Sequence, residues 1–179
     1  MTSLSLRLCA ALVIAALPAW SLAQTPPIKP GLWEVKSEGG ANGQKAASSP
    51  ADRLANLPPA VRAQVEASMK QKGMAVDAGG LSRICFSKES MDPARWGNAA
   101  NCKTDYGARS SSSWKWHSVC TQPEMTIDGE AIFAGPESYT VNSTTTMKLR
   151  GETRTSQRTV RAKWLGADCG DLKPFDPKR

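Results

Sequence analysis

Four cysteines follow an N-terminal export signal, and they constrain the fold of this chain more than any other feature. They are Cys85, Cys102, Cys120 and Cys169, and the fifth cysteine, Cys9, lies within the signal. An even number of cysteines in an exported chain is typical of a disulfide framework formed in an oxidising compartment. Four cysteines allow three pairings. A zinc site is the competing interpretation, and it is disfavoured because the chain contains no C-x-x-C pair.

Residues 1–23 have the pattern of a cleavable signal peptide. A single basic residue precedes an apolar run at 8–19, and the Ser-Leu-Ala triplet after it predicts cleavage before Gln24. The apolar run is shorter than the roughly 20 residues that span a bilayer. We therefore expect residues 24–179 to form a single exported, periplasmic β-rich domain with no transmembrane segment after cleavage.

Helical signals precede the first mature cysteine. Residues 50–73 contain a Pro58-Pro59 pair that ends one helix and begins another, and Gly73 is a natural stop. The second helix carries a narrow apolar face formed by Val61, Val65 and Met69. We expect this helical insertion to pack over the sheet as a flap, and the alternative is an arm that binds a partner. The Gly/Ala/Ser-rich residues 38–49 predict a loop before it.

From residue 81 onward the apolar residues recur with period two, which predicts the hairpins of an antiparallel sheet. In the predicted register, Cys102 lies opposite Cys120. Gly129 lies opposite Trp116, where the missing glycine side chain leaves room for the indole. The predicted fold class is mainly β: an antiparallel up-and-down meander, as a curled sheet or partial barrel, with a helical insertion and two disulfides.

The same pattern predicts the other hairpin pairs, the last of them across a four-residue turn at 150–153. These pairs are Ala108 with Trp114, Phe133 with Tyr139, Tyr139 with Trp164, Val141 with Ala162, and Met147 with Ser156. One face of the sheet then collects the apolar side chains, which are Tyr106, Trp114, Trp116, Ile127, Phe133, Tyr139, Val141, Val160 and Trp164.

This register also ranks the disulfide pairings. Directly opposed residues of an antiparallel pair have Cα atoms at a distance that a disulfide can span. Cys102–Cys120 is thus the expected bridge within one hairpin. The remaining pair, Cys85–Cys169, would tie the end of the last strand back to an early one.

Short motifs in a fixed order resemble a known family. They are KPGLWEV at 29–35, ICFSKE at 84–89, the spacing of Cys102, Trp114, Trp116 and Cys120, and KWLGADC at 163–169. Together they resemble the bacterial domain-of-unknown-function family 3617 over nearly the whole mature chain. The resemblance implies an exported, cysteine-containing β domain of Gram-negative bacteria with no established activity, so it supplies no catalytic residue.

The titratable residues do not form a catalytic pattern. His117 is the only histidine. The register points it outward, whereas Ser118 points inward, so the two do not form a nucleophile–base pair. We expect no enzymatic activity, no catalytic residue, no cofactor and no metal ligand. The less favoured alternative is a hydrolase-type enzyme with a concave cluster around His117, Asp105 or Glu130.

Two candidate binding surfaces remain. The first is the aromatic face, with Trp114, Trp116, Tyr139 and Trp164 as ligand-lining residues. The second is a basic cluster for an anionic partner, formed by Lys148, Arg150, Arg154, Arg158, Arg161 and Lys163. A strand kept soluble by its charges is the simpler interpretation of this cluster.

We therefore predict a non-enzymatic module of the cell envelope that binds an apolar small molecule or an anionic envelope component. The formal net charge of +7 agrees with an anionic partner. Nucleic acid is not expected, because the aromatic residues that would stack on bases point away from the basic cluster. The alternative is a partner-binding protein that acts through the helical insertion.

Overall fold

The computed structural model describes residues 25–41, 50–77, 80–92 and 101–176, which form two helices and eight strands. The signal peptide predicted for residues 1–23 lies outside the described residues. The helices are α1 (Pro50–Ala55) and α2 (Pro59–Gln71). The strands are β1 (Gly31–Ala41), β2 (Met74–Val76), β3 (Ser82–Phe86), β4 (Cys102–Arg109), β5 (Ser113–Thr121), β6 (Glu124–Phe133), β7 (Ser138–Leu149) and β8 (Glu152–Gly166).

All eight strands of the described chain pair antiparallel in one sheet, which stays open. The order across the sheet is β2-β3-β1-β8-β7-β6-β5-β4. Strands β4 to β8 form the meander that the hairpin spacing predicts. The first strand, β1, lies between β3 and β8, so it joins the two parts of the sheet. The predicted mainly β fold class is confirmed.

Most of the predicted register is confirmed. Cys102 faces Cys120, Trp116 faces Gly129, and Phe133 faces Tyr139. The prediction for Trp114 is wrong by one residue: it faces Arg109 instead of Ala108, because the β4–β5 ladder is irregular between Tyr106 and Arg109. The loop predicted for residues 38–49 is wrong over residues 38–41, because β1 stays paired with β8 through Ala41. The rest of that predicted loop lies outside the described residues.

The β7–β8 register differs from the prediction by two residues. Tyr139 faces Ala162, Val141 faces Val160, and Met147 faces Arg154. The turn causes the difference: Leu149 pairs with Glu152, so only Arg150 and Gly151 form the connection, both with positive φ (52° and 85°). Two central residues with positive φ are the signature of the type I′ hairpin turn. A shift of two preserves which side chains share a face.

The core is formed by the side chains of one face of the sheet, which we call the inner face. Trp33 is fully buried at the centre of one cluster, and Trp114 and Phe133 belong to a second. Ile28 and Tyr139 contact both clusters. The segment before β1 therefore crosses the inner face and closes the junction between the two halves of the core.

The helical insertion is confirmed, but it does not cover the sheet. No residue of α2 is buried, and its main contact is with β2 at the sheet edge. Arg62 of α2 holds the two helices together, because its guanidinium donates hydrogen bonds to the carbonyls of Leu54, Ala55 and Leu57. The flap prediction is wrong, because α2 lies against the edge strand β2 and buries none of its residues.

Both predicted disulfides are confirmed, as Cys85–Cys169 and Cys102–Cys120. The second bridge lies within the β4–β5 hairpin. The first joins β3 to the segment after β8, on the face of the sheet opposite the core, called the outer face below. It fixes the polypeptide that follows the last strand against an early part of the chain.

Candidate ligand-binding site

Two of the predicted ligand-lining aromatic residues are packed into the core. The Trp114 ring lies edge-on to Phe133, with centroids 5.7 Å apart, and its Nε1 donates a hydrogen bond of 3.1 Å to the Ser110 carbonyl. Tyr139 packs against the Trp33 ring at 5.2 Å, and burial raises the pKa of its phenol to about 12. These contacts are those of closely packed core residues.

The other two aromatic residues are also engaged by the protein. Trp116 lies over Gly129, in the space that a side chain at that position would fill. The Nε1 of Trp164 donates a hydrogen bond of 3.0 Å to the Pro30 carbonyl, and the Lys29 ammonium lies 4.7 Å from its ring centroid. The four residues share the inner face, but segment 28–30 and their own ring contacts occupy much of the space between them. A ligand on this face stays a prediction.

The predicted basic cluster is divided between the two faces of the sheet. By the β7–β8 register, Arg154 and Arg158 lie on the inner side, Lys148, Arg161 and Lys163 on the outer side, and Arg150 in the turn. Three members form ion pairs: Lys148 with Glu124 at 2.6 Å, Arg154 with Glu152 at 3.1 Å, and Arg161 with Glu38 at 2.8 Å. The structure therefore does not bring these six residues together, and anion binding by them stays a prediction.

The only histidine lies on the outer face, as the register predicts. Its Nδ1 is 2.7 Å from Oδ1 of Asp128, and both side chains are at least half exposed. Asp105 faces it from β4, and an open cavity of about 330 Å³ lies over this part of the sheet. Ser118 points inward and shares a hydrogen bond of 2.8 Å with Thr104. His117 and Ser118 thus lie on opposite faces of one strand.

A larger cavity, of about 490 Å³ and also open to solvent, lies beside the Cys85–Cys169 disulfide. Most of its walls come from the end of α2 with Lys70, β2 with Ala75, the outer face of β3 with Arg83, and the segment 168–172 after β8. Leu32 of β1 and Leu172 add apolar surface. We call this space the disulfide cavity.

Backbone contacts fix the walls of the disulfide cavity. The amide of Phe175 donates a hydrogen bond of 2.7 Å to the Cys85 carbonyl, and the Cys85 amide donates one of 3.0 Å to the Gly73 carbonyl. Gly73 adopts a φ of 78°, and a side chain there would overlap the backbone of Lys173 and Phe175. The segment after β8 is therefore held against β3 by a covalent bond and by a hydrogen bond.

Sequence reasoning missed Arg83, Lys70 and Leu172 as neighbours. The three residues span 102 positions of the chain, from 70 to 172 (172 − 70). Their proximity depends on the insertion of β1 between β3 and β8. The pairing of Cys85 with Cys169 is the one signal that could have found them, because residues that flank a disulfide lie close in space.

The fold and these sites define a mainly β protein with one open antiparallel sheet, two disulfides and, in the part that the structure describes, no cluster of three His, Cys, Asp or Glu side chains suited to a metal ion. The chain belongs to the family described as protein of unknown function (DUF3617), whose profile matches residues 28–169. The resemblance seen in the motifs is thereby confirmed. A search of curated proteins and a search of solved structures each found no match.

Neither α1 nor α2, the helices of the described residues, has the length and apolar character needed to cross a membrane.

Proposed function

We propose that this protein is an exported, non-enzymatic module of the cell envelope that binds a small molecule in the disulfide cavity. The volume of the cavity, about 490 Å³, carries the proposal. Small-molecule sites are typically concave spaces of roughly 300–1,000 Å³ with mostly apolar walls and a few polar groups. Leu32, Ala75 and Leu172 supply apolar walls. Charged groups come from Lys70, Arg83, Asp168 and Asp171.

The placement of the titratable residues supports a binding role over a catalytic one. A general base needs a nucleophile or substrate group within hydrogen-bond reach and an environment that excludes water. His117 instead pairs with Asp128 on an open face, where the two side chains are 50% and 67% exposed. Water screens such a pair.

Export to the periplasm is supported by the disulfide content. Disulfides form and persist in oxidising compartments, and they are rare in reducing ones. The two bridges of this chain join residues 84 and 18 positions apart. Both are consistent with a structural framework that is assembled after export.

The proposal is tested by titrating delipidated mature protein with N-phenyl-1-naphthylamine, an uncharged apolar fluorophore. We expect saturable binding that is lost in Ala75→Phe, because the larger ring fills the cavity. Ala108→Phe is the matched control, since Ala108 is exposed on β4, at the opposite edge of the sheet. Circular dichroism checks that both variants fold. Equal binding by the two variants would refute a site in this cavity, as would the absence of saturable binding both of this fluorophore and of octanoate and octyl phosphate.

A protein partner for α2 is a second candidate function, favoured by the exposure of its apolar face. Val61 is 43% exposed, and no residue of the helix is buried. A photoreactive residue at position 61 should crosslink to a protein of defined mass in native extract, whereas one at the exposed position 67 should not. Equal yields at both positions would argue against this second function.

A further inference from the structure

The guanidinium of Arg83 is available to a ligand of the disulfide cavity. Arg83 is exposed on the outer face of β3, between Ala75 of β2 and Glu34 of β1. Within the described part of the chain, the Arg83 side chain has no hydrogen bond or ion pair, even though Glu34 is directly opposite. An arginine presents several donors in a planar fork that fits a carboxylate or a phosphate in a bidentate geometry.

The two carboxylates of the cavity wall already have partners. Oδ1 of Asp168 accepts a hydrogen bond of 2.9 Å from the amide of Gly170. Asp171 lies 3.6 Å from the Lys70 ammonium, through its Oδ2. The cavity wall therefore carries two acidic and two basic side chains, and among them Arg83 is the one for which the described residues supply no side-chain partner.

The apolar side chains lie where the rest of a ligand would extend. Leu32 and Leu172 line the same cavity as Arg83, next to the Cys85–Cys169 disulfide. A ligand with one charged end and a short apolar body would satisfy the guanidinium and cover these side chains together.

We propose that the disulfide cavity binds a small amphiphile whose anionic end, a carboxylate or a phosphate, pairs with Arg83. The apolar body lies against Leu32 and Leu172. This assignment rests on the proposed function, since it names the ligand class of the same cavity.

The test compares three eight-carbon probes, octanoate, octyl phosphate and octan-1-ol, below their aggregation limits, by NMR on the ¹⁵N-labelled, disulfide-bonded protein. We expect saturable shifts of the Gly170 and Leu172 amide signals, with the better of the two anions binding at least tenfold more tightly than the alcohol. Comparison of octanoate with octyl phosphate identifies the preferred head group.

Arg83→Gln should weaken binding of the preferred anion about tenfold and leave octan-1-ol unchanged. Lys103→Gln, which removes an equal charge from the exposed edge strand β4, should have no such effect. Equal binding of the anions and octan-1-ol, or an Arg83→Gln variant with normal anion binding, would overturn the anionic assignment while the cavity itself stands. If no probe shifts these amides and N-phenyl-1-naphthylamine also fails to bind, the proposed function fails as well.

Discussion

The indole of Trp116 occupies the position that a side chain of Gly129 would take. The two residues face each other directly across the β5–β6 pair, on the inner face of the sheet. A Cβ atom added to Gly129 would lie closer to the ring than the 3.0 Å that real Cβ atoms respect. The absence of one side chain therefore allows a large aromatic ring to lie flat against the backbone of a neighbouring strand.

Gly129→Ala should destabilise the protein by about 1–3 kcal/mol, the usual cost of forcing extra volume into a packed site. The indole must move to accommodate the methyl group, and the strand backbone limits where it can go. The free energy of unfolding, measured by urea denaturation with the disulfides intact, reports this loss.

Gly107→Ala is the matched control for that measurement. It changes a glycine to alanine in β4, which is separated from β6 by β5. There the nearest atom to an added Cβ is 3.9 Å away, on Lys115. We expect a change of less than about 0.5 kcal/mol. Equal losses in the two variants would show that backbone freedom, and not contact with the indole, determines the effect.

Arg150→Asn should stabilise the β7–β8 hairpin by about 0.5–1 kcal/mol. Arg150 has a φ of 52°, a left-handed conformation that strains ordinary side chains and that asparagine adopts more readily. Arg154→Asn removes the same charge from a strand position and serves as the control. Thermal unfolding should show a higher midpoint for the first variant only, and a lower midpoint for Arg150→Asn would contradict the turn assignment.

The hairpins could be predicted from sequence because their information is local. The pairing of Trp116 with Gly129 spans 13 residues (129 − 116), and one short turn and the alternation of side chains determine it. The predicted β7–β8 register is wrong because Arg150-Gly151 lacks the Asn-Gly or Asp-Gly pattern that marks a two-residue turn. The long β7–β8 pairing that leads into the turn holds Arg150 in its positive-φ conformation.

The position of β1 and the disulfide cavity could not be predicted in the same way. Trp33 pairs with Trp164, 131 residues away (164 − 33), and no turn connects their strands. The side-chain alternation of the KPGLWEV motif does not indicate which strands pair with β1. The prediction of one basic cluster is wrong because successive side chains of an extended strand point to opposite faces of the sheet. The basic residues between 148 and 163 are close along the chain but are divided between the two faces.

Tyr139 should make stability fall with pH in the alkaline range. Burial raises the pKa of its phenol to about 12, against about 10 for an exposed tyrosine. The folded state therefore holds the proton more tightly than the unfolded state. This contribution is fully present below pH 10 and is lost as the pH rises to about 12, with a slope of up to about 1.4 kcal/mol per pH unit.

Tyr139→Phe removes this titration. The difference in free energy of unfolding between the wild type and the variant should therefore shift by roughly 2–3 kcal/mol in favour of the variant between pH 9 and pH 12. Tyr106→Phe should show a smaller shift, because burial raises the pKa of Tyr106 while the nearby Arg109 lowers it. Parallel curves for Tyr139→Phe and the wild type would show that the phenol is solvated.

The two disulfides should contribute unequally to stability. A covalent link restricts the unfolded chain more when it closes a longer loop, which predicts about 3 kcal/mol for Cys102–Cys120 and about 4–5 kcal/mol for Cys85–Cys169, at separations of 18 and 84 residues. The paired variants Cys102→Ala/Cys120→Ala and Cys85→Ala/Cys169→Ala test this order by urea denaturation.

Ligand binding separates the roles of the two bridges further. Loss of Cys85–Cys169 releases segment 168–172, a wall of the disulfide cavity, whereas Cys102–Cys120 lies in the β4–β5 hairpin at the far edge of the sheet. At a temperature where both variants are folded, we expect only the Cys85→Ala/Cys169→Ala variant to lose binding of N-phenyl-1-naphthylamine. Equal retention of binding would mean that the hydrogen bond from Phe175 to Cys85 is enough to hold that wall in place.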